Sequence, residues 1–267
     1  MSKSSKKKNK RKIEKKPFLP ESFYAFFIFL GFFFLSFRRI FGIKGILGHN
    51  WDWSFPAVDV LFKKIDLLSR YAWWDFDLGA PLSLNLSQIG PNLIVKSLAF
   101  VFPPKFVIIL LLFLTTLAGF FFFKKLLDFL NQKNFWNYLP ALLFAFSPFL
   151  FSDIIGGSWY MWISYAASPL FFLNLVKFSQ EGKIKYLLGF LLTAVFVISS
   201  LQHFFLIELI IFIYLIFQLG LNFDKELKIK LVVFRWFLAQ IILIGANLYW
   251  LGPFFLSLGD FIKDSSA

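Results

Sequence analysis

Between Lys105 and Lys124 the chain carries no charged residue, and most positions are Leu, Ile, Val or Phe. A run of that length matches the hydrocarbon thickness of a bilayer, which a helix crosses in about 20 residues. In lipid no water pairs with exposed backbone groups, so such a segment closes its own hydrogen bonds as an α-helix. Similar runs recur, and their spacing predicts spans at about 22–42, 105–123, 135–152, 159–176, 186–201, 204–221 and 232–250. Composition agrees, with 58% hydrophobic, 22% aromatic and 16% charged residues. Soluble domains carry roughly 45–50% apolar and about 25% charged residues. The expected fold class is all-α: a polytopic membrane protein of about seven transmembrane helices. Its long first extracytoplasmic loop would contain amphipathic surface helices. The chain has no cysteine, which excludes disulfides, thiolate nucleophiles and Cys-metal sites.

The net charge of +13 is concentrated. Lys3, Lys6, Lys7, Lys8, Lys10, Arg11, Lys12, Lys15 and Lys16 crowd the N-terminus against Glu14. Such a tail suits nucleic acid in isolation, but directly before a membrane helix it marks the cytoplasmic side and touches anionic lipid. No nucleic-acid partner is expected. The first apolar run lacks a small-residue cleavage site, so it reads as an uncleaved anchor. With the N-terminus inside, the clusters at Lys124, Lys177–Lys185 and Lys225–Arg235 all fall on the cytoplasmic side. The turns at 153–158 and 199–203 carry no Lys or Arg, which is the positive-inside pattern. Arg38, Arg39 and Lys44 dissent, and the short loops decide. The expected location is the plasma membrane, multi-pass, with a cytoplasmic N-terminus. Residues 1–20 form a basic disordered tail in this reading, and 21–255 the helical module. The first outer loop occupies 43–104, and 256–267 is a short, truncated-looking outer tail.

The loop at 43–104 carries most of the candidate chemistry. Asp52 lies in the run GHNWDWSFP, between Trp51 and Trp53 and three residues after His49. Apolar neighbours desolvate a carboxylate and raise its proton affinity, while indoles sit well at headgroup depth. Asp52 therefore reads either as a base or acceptor-binding group for a lipid-borne substrate, or as the N-cap of a helix beginning near Ser54. Asp75, between Trp74 and Phe76, follows the same logic, whereas Asp77 suits a turn. Residues 57–72 read as an amphipathic surface helix whose Asp59 and Asp66 are ordinary solvated acids. Residues 91–102 read as a short apolar helix that re-enters toward the second span.

Outside that loop, Asp153 and His203 fall at outer turns. Glu208 lies inside the sixth span, where an ionisable residue is a functional candidate by default. His203 and Glu208 sit about 140° apart around a helix and need not touch. Arg70 and Lys96, with Arg38 and Arg39, suit a lipid phosphate or plain headgroup contact. No metal spacing such as HExxH occurs, so no metal site is assigned. No organic cofactor is expected, and a divalent cation stays an open alternative. The chain has no GxxxxGK[ST], GxGxxG or GxSxG motif, hence no visible means of using ATP, nicotinamide or a serine acyl mechanism.

The order of cytoplasmic N-terminus, one helix, long outer loop with an early Asp, then six further helices resembles the C-type (GT-C fold) integral-membrane glycosyltransferases. WDWSFP followed by YAWWDFDLGAPLSLNLSQIGPNL is most similar to the arabinofuranosyltransferase-like and YfhO-like branches. The likeness covers residues 22–255 as architecture and 48–92 as motif. It implies that Asp52 acts as base or binds the acceptor, and that Trp74, Asp75 and Gly79 form the second matching segment. Members of that group continue with further helices and often an outer domain. This chain stops in a polar tail, so a fragment, a minimal module or half of a split enzyme is expected.

The resemblance implies an inverting glycosyltransferase, moving sugar from a polyprenyl-phosphate donor to a glycan or lipid acceptor of the cell envelope, with membrane lipids as further partners. Asp52 would be catalytic. His49, Trp51, Trp53, Arg70, Trp74, Asp75, Lys96, Asp153, His203 and Glu208 would line the substrate site. Two rivals remain: a lipid or polysaccharide transporter using Glu208, and a non-catalytic scaffold whose basic tail recruits a partner.

Overall fold

The computed structural model describes residues 20–42, 87–148, 150, 159–221, 226–253 and 255. Every secondary-structure element among the described residues is helical. In chain order they are α1 (Glu21–Gly42), α2 (Ile89–Val101), α3 (Pro104–Leu130), a 3-10 turn (Phe135–Asn137), α4 (Tyr138–Ala145), α5 (Trp159–Glu181), α6 (Ile184–Val197), α7 (Leu201–Leu221) and α8 (Glu226–Ala246). Three segments, Glu21–Gly42, Lys105–Leu130 and Ile229–Ala246, are long and apolar enough to cross a membrane. Shorter apolar helices accompany them at Ile89–Val101, Phe135–Ala145, Ile184–Val197 and Gln202–Phe217. The described residues thus form an all-helical assembly with the apolar helices of a membrane protein.

Helix α5 is the centre of the bundle, and α3, α6, α7 and α8 all pack against it. It is 23 residues long, about 34 Å. Pro169 sits inside it and cannot donate a backbone hydrogen bond to the carbonyl of Tyr165. Ser168 takes over that role, its hydroxyl donating to Tyr165 O at 2.7 Å. Helix α1 docks through one stripe, Ala25, Phe29, Phe33 and Phe37, spaced four residues apart as a helix face requires. Phe29 meets Phe120 of α3 at 5.4 Å between ring centroids, and Phe33 meets Phe113 edge-on at 5.1 Å. Further along, Phe123, Phe144 and Tyr165 form a continuous stack at 4.3 and 4.2 Å. The phenylalanines therefore supply interhelical contacts as well as much of the exposed apolar surface.

At one end of the bundle α3 and α5 finish while α6 and α8 begin. Lys177 of α5 lies over Phe129 of α3 at 5.1 Å and over Tyr186 of α6 at 5.6 Å. Gly182 closes α5 with φ +70°, a left-handed value that glycine adopts freely. Arg235 of α8 donates to the carbonyl of Gln180 at 3.0 Å, covering carbonyls that the helix end leaves open. Lys124, Lys125, Lys177, Lys183, Lys185 and Arg235 make this the basic end.

At the opposite end, here the turn end, α1 finishes beside the start of α3, where Lys105 Nζ donates to Phe41 O at 3.4 Å. Helix α2 bridges this end, from α6 and α5 at its start to α3 at its finish. Gly90 permits the bridge: a Cβ there would lie 2.3 Å from Val195 Cγ1.

Several boundaries differ from the sequence expectation. The span expected at 105–123 is longer, because α3 runs through to Leu130. Lys124 pairs with Asp128 one turn on, and Asn137 donates to Asp128 Oδ1 at 2.8 Å. Those charges are satisfied without leaving the helix. For the segment at 135–152 the sequence predicts interruptions at Pro140 and Pro148; Pro140 lies within a helix, and the break falls just before Pro148. The segment opens with the 3-10 turn, forms α4 over 8 residues and breaks at Phe146. There Ser147 Oγ accepts from Leu150 N at 3.3 Å. Helix α8 yields to a turn at Asn247.

Candidate functional site

Most of the sequence-predicted site lies outside the described residues: His49, Trp51, Asp52, Trp53, Arg70, Trp74, Asp75 and Asp153. The described residues that adjoin those segments are informative in themselves. Residues 43–86 lead directly into Ser87 and Gln88, and 151–158 lead into Trp159 and Tyr160. Both connections enter the turn end, where buried polar groups collect.

Ser87, Gln88, Asn92, Ser164, Ser199, Ser200 and His203 are all buried there. Tyr160 donates its hydroxyl to Asn92 Oδ1 at 3.0 Å, tying the start of α5 to α2. Ser164 Oγ donates to the carbonyl of Val197 at 2.8 Å, and Ser199 Oγ to that of Phe196 at 2.6 Å. These carbonyls close α6, whose last turn has no helical donors of its own. Ser199 also reaches the carbonyl of Tyr160 at 3.4 Å. Burying these polar groups is tolerable because they find hydrogen-bond partners, side chains for Asn92 and His203 and backbone carbonyls for Ser164 and Ser199.

His203 belongs to this cluster. It lies in the first turn of α7 and not in the preceding turn, which comprises Ile198–Ser200. The sequence places no proline or glycine at Leu201, so the helix starts early. His203 Nδ1 is 3.0 Å from Ser200 Oγ, and its ring meets Tyr165 edge-on at 6.4 Å. The Ser200–His203 pair can pass a hydrogen bond in either direction according to the imidazole tautomer.

Comparison with protein-family models, curated proteins and solved structures finds no match.

The remaining predicted residues fall elsewhere. Lys96 is half-buried on α2, one helical turn from Asn92. Arg38 and Arg39 are exposed at the end of α1. Glu208 faces α8 instead of the polar cluster, and Gln240 Nε2 donates to its Oε2 at 2.9 Å. His203 and Glu208 thus serve different surfaces of α7 and do not form a shared ligand pair.

Sequence reasoning missed Asn92, Tyr160, Ser164 and Ser199 as site residues. A signal existed, since polar residues in otherwise apolar helices need partners when buried. The spacing could not say which partners. The cluster holds groups suited to positioning by hydrogen bonds.

Proposed function

We propose that this chain is the membrane module of a glycosyltransferase using a polyprenyl-phosphate sugar as donor. It would form about seven spans in the plasma membrane, with a cytoplasmic N-terminus and its site at the extracytoplasmic end. One observation carries the reading. The buried network of Asn92, Tyr160, Ser199, Ser200 and His203 lies at the end of the bundle where both acid-bearing segments, 43–86 and 151–158, join the helices. The cation-rich opposite end supports the orientation, because Lys and Arg concentrate in short cytoplasmic loops.

In this mechanism Asp52 takes the proton of an acceptor hydroxyl as its oxygen bonds to the sugar's anomeric carbon. The bond from that carbon to the donor phosphate oxygen breaks on the opposite face. Its electron pair leaves with the polyprenyl phosphate, and the new glycosidic bond has inverted configuration. Arg70 and Lys96 balance charge on the leaving phosphate. His49, Trp51, Trp53, Trp74, Asp75 and Asp153 hold sugar and acceptor, and His203 with Ser200 positions them from the bundle side. The glycan or lipid acceptor arrives from the cell envelope.

The test is transfer of labelled sugar from a panel of polyprenyl-phosphate donors by the full chain in nanodiscs. General-base assistance is worth about a hundred- to ten-thousand-fold, so Asp52→Asn should lose activity on that scale. Full activity in Asp52→Asn removes that residue from the chemistry. Absence of transfer from every donor removes the enzyme class.

A second reading, lipid transport, is favoured by Glu208, an acid inside α7 that faces a gap beside α8. Movement of labelled lipid across vesicles by the purified chain, abolished in Glu208→Gln, would favour it.

A further inference from the structure

Helices α7 and α8 both pack on α5, through contacts such as Phe172 with Tyr214 at 5.3 Å and Arg235 with Gln180 at 3.0 Å. Toward the turn end they leave a cavity of about 570 Å³ between them. Phe204, Phe205, Phe212, Trp236 and Trp250 line it together with Glu208. Ties across it include the Gln240–Glu208 hydrogen bond and the Phe212–Trp236 contact at 6.3 Å.

The acid has an unusual environment. Asp128 is paired with Lys124, and Glu181 with Lys183 at 2.6 Å. Glu208 has a neutral amide as its partner, and its Oε1 is buried with no hydrogen-bond partner among the described residues. Desolvation in an apolar gap favours the neutral acid, so a carboxylate ionises there only with a counter-charge beside it.

The walls decide what kind. A metal ion needs several oxygen ligands, whereas this gap offers one acid and the amides of Gln240 and Asn247, the Asn247 Oδ1 already accepting from Trp250 Nε1 at 2.8 Å, within walls otherwise of aromatic and aliphatic carbon. Aromatic ring faces attract ammonium groups, and the attraction grows once the cation is desolvated. A plain hydrocarbon chain would leave the carboxylate uncompensated.

We propose that the gap between α7 and α8 is a binding site for a lipophilic organic cation, an ammonium group on an apolar body. Glu208 supplies the counter-charge, and the aromatic walls take the ammonium and its chain. Gln240 holds the carboxylate in place through Oε2. This site does not depend on the glycosyltransferase reading.

The test is equilibrium dialysis of radiolabelled dodecyltrimethylammonium against the full chain in uncharged maltoside micelles, with empty micelles subtracted. Saturable binding to the native chain is expected, weakened about tenfold or more in Glu208→Gln. Glutamine keeps the shape and can still accept from Gln240, so the variant removes charge alone. Ile244→Trp, at an exposed position on the cavity rim, should block the site while leaving the charge, and it decides alone if Glu208→Gln does not fold. Dodecanol should not compete. Unchanged binding in either variant, equal competition by dodecanol, or no saturable binding overturns the proposal.

Discussion

The hydroxyl of Tyr160 donates to Oδ1 of Asn92 at 3.0 Å, joining residues 68 positions apart in the chain. Both side chains are buried, so the bond fixes where α2 crosses the turn end. Tyr160→Phe removes the donor and leaves the amide oxygen buried without it. A buried polar group stripped of its partner costs about 1–3 kcal/mol. The expected outcome is a lowered midpoint of thermal unfolding in nanodiscs, together with faster hydrogen exchange along α2. An unchanged midpoint would mean that Asn92 repairs its hydrogen bonding by another route.

Ser168 compensates for a proline. Because Pro169 has no N–H, the carbonyl of Tyr165 depends on the serine hydroxyl at 2.7 Å. Ser168→Ala should destabilise the bundle by about 1–3 kcal/mol. The double change Ser168→Ala with Pro169→Ala should recover most of that, since it restores the backbone donor. Comparing the two unfolding midpoints checks it.

Gly90 lets α2 approach α6. A Cβ there would stand 2.3 Å from Val195 Cγ1, and valine in a helix has little rotamer freedom with which to move aside. Gly90→Val should cost about 1–3 kcal/mol through overpacking. Val195→Ala in the same chain should relieve part of it, and a double-mutant cycle measures the coupling.

Orientation is open to chemical labelling because the chain has no cysteine of its own. Lys183 at the basic end and Gln202 at the turn end are both exposed. A membrane-impermeant maleimide added to intact cells should label Gln202→Cys at once, and Lys183→Cys only after the cells are opened. The reverse pattern would place the polar cluster on the cytoplasmic side and remove the proposed glycosyl-transfer site from the cell exterior.

Much of the helix inventory was legible from hydropathy. The expected span at 22–42 is α1 at Glu21–Gly42, and the expected helix at 91–102 is α2 at Ile89–Val101. Charge misled where side chains satisfy one another locally. Lys124 and Lys125 suggested the end of a span, yet the Lys124–Asp128 pair and Asn137 let α3 continue. His203 was expected at an outer turn, but the turn ends at Ser200 and His203 lies in the first turn of α7. Ser199 and Ser200 close α6 and begin α7, with Ser199 bonded to the carbonyl of Phe196.

The sequence by itself determined that this chain is helical and apolar enough for a bilayer, because lipid admits few other backbone arrangements. It also concentrated the cations that distinguish one end of the bundle from the other. Only the tertiary structure decided which polar groups meet: Tyr160 with Asn92, Ser164 with the Val197 carbonyl, Gln240 with Glu208. The reason is physical. Hydropathy is nearly uniform around helices that face lipid on one side and phenylalanine on the other. The packing of whole helices, rather than any local pattern, sets which face turns inward and what partner it finds there.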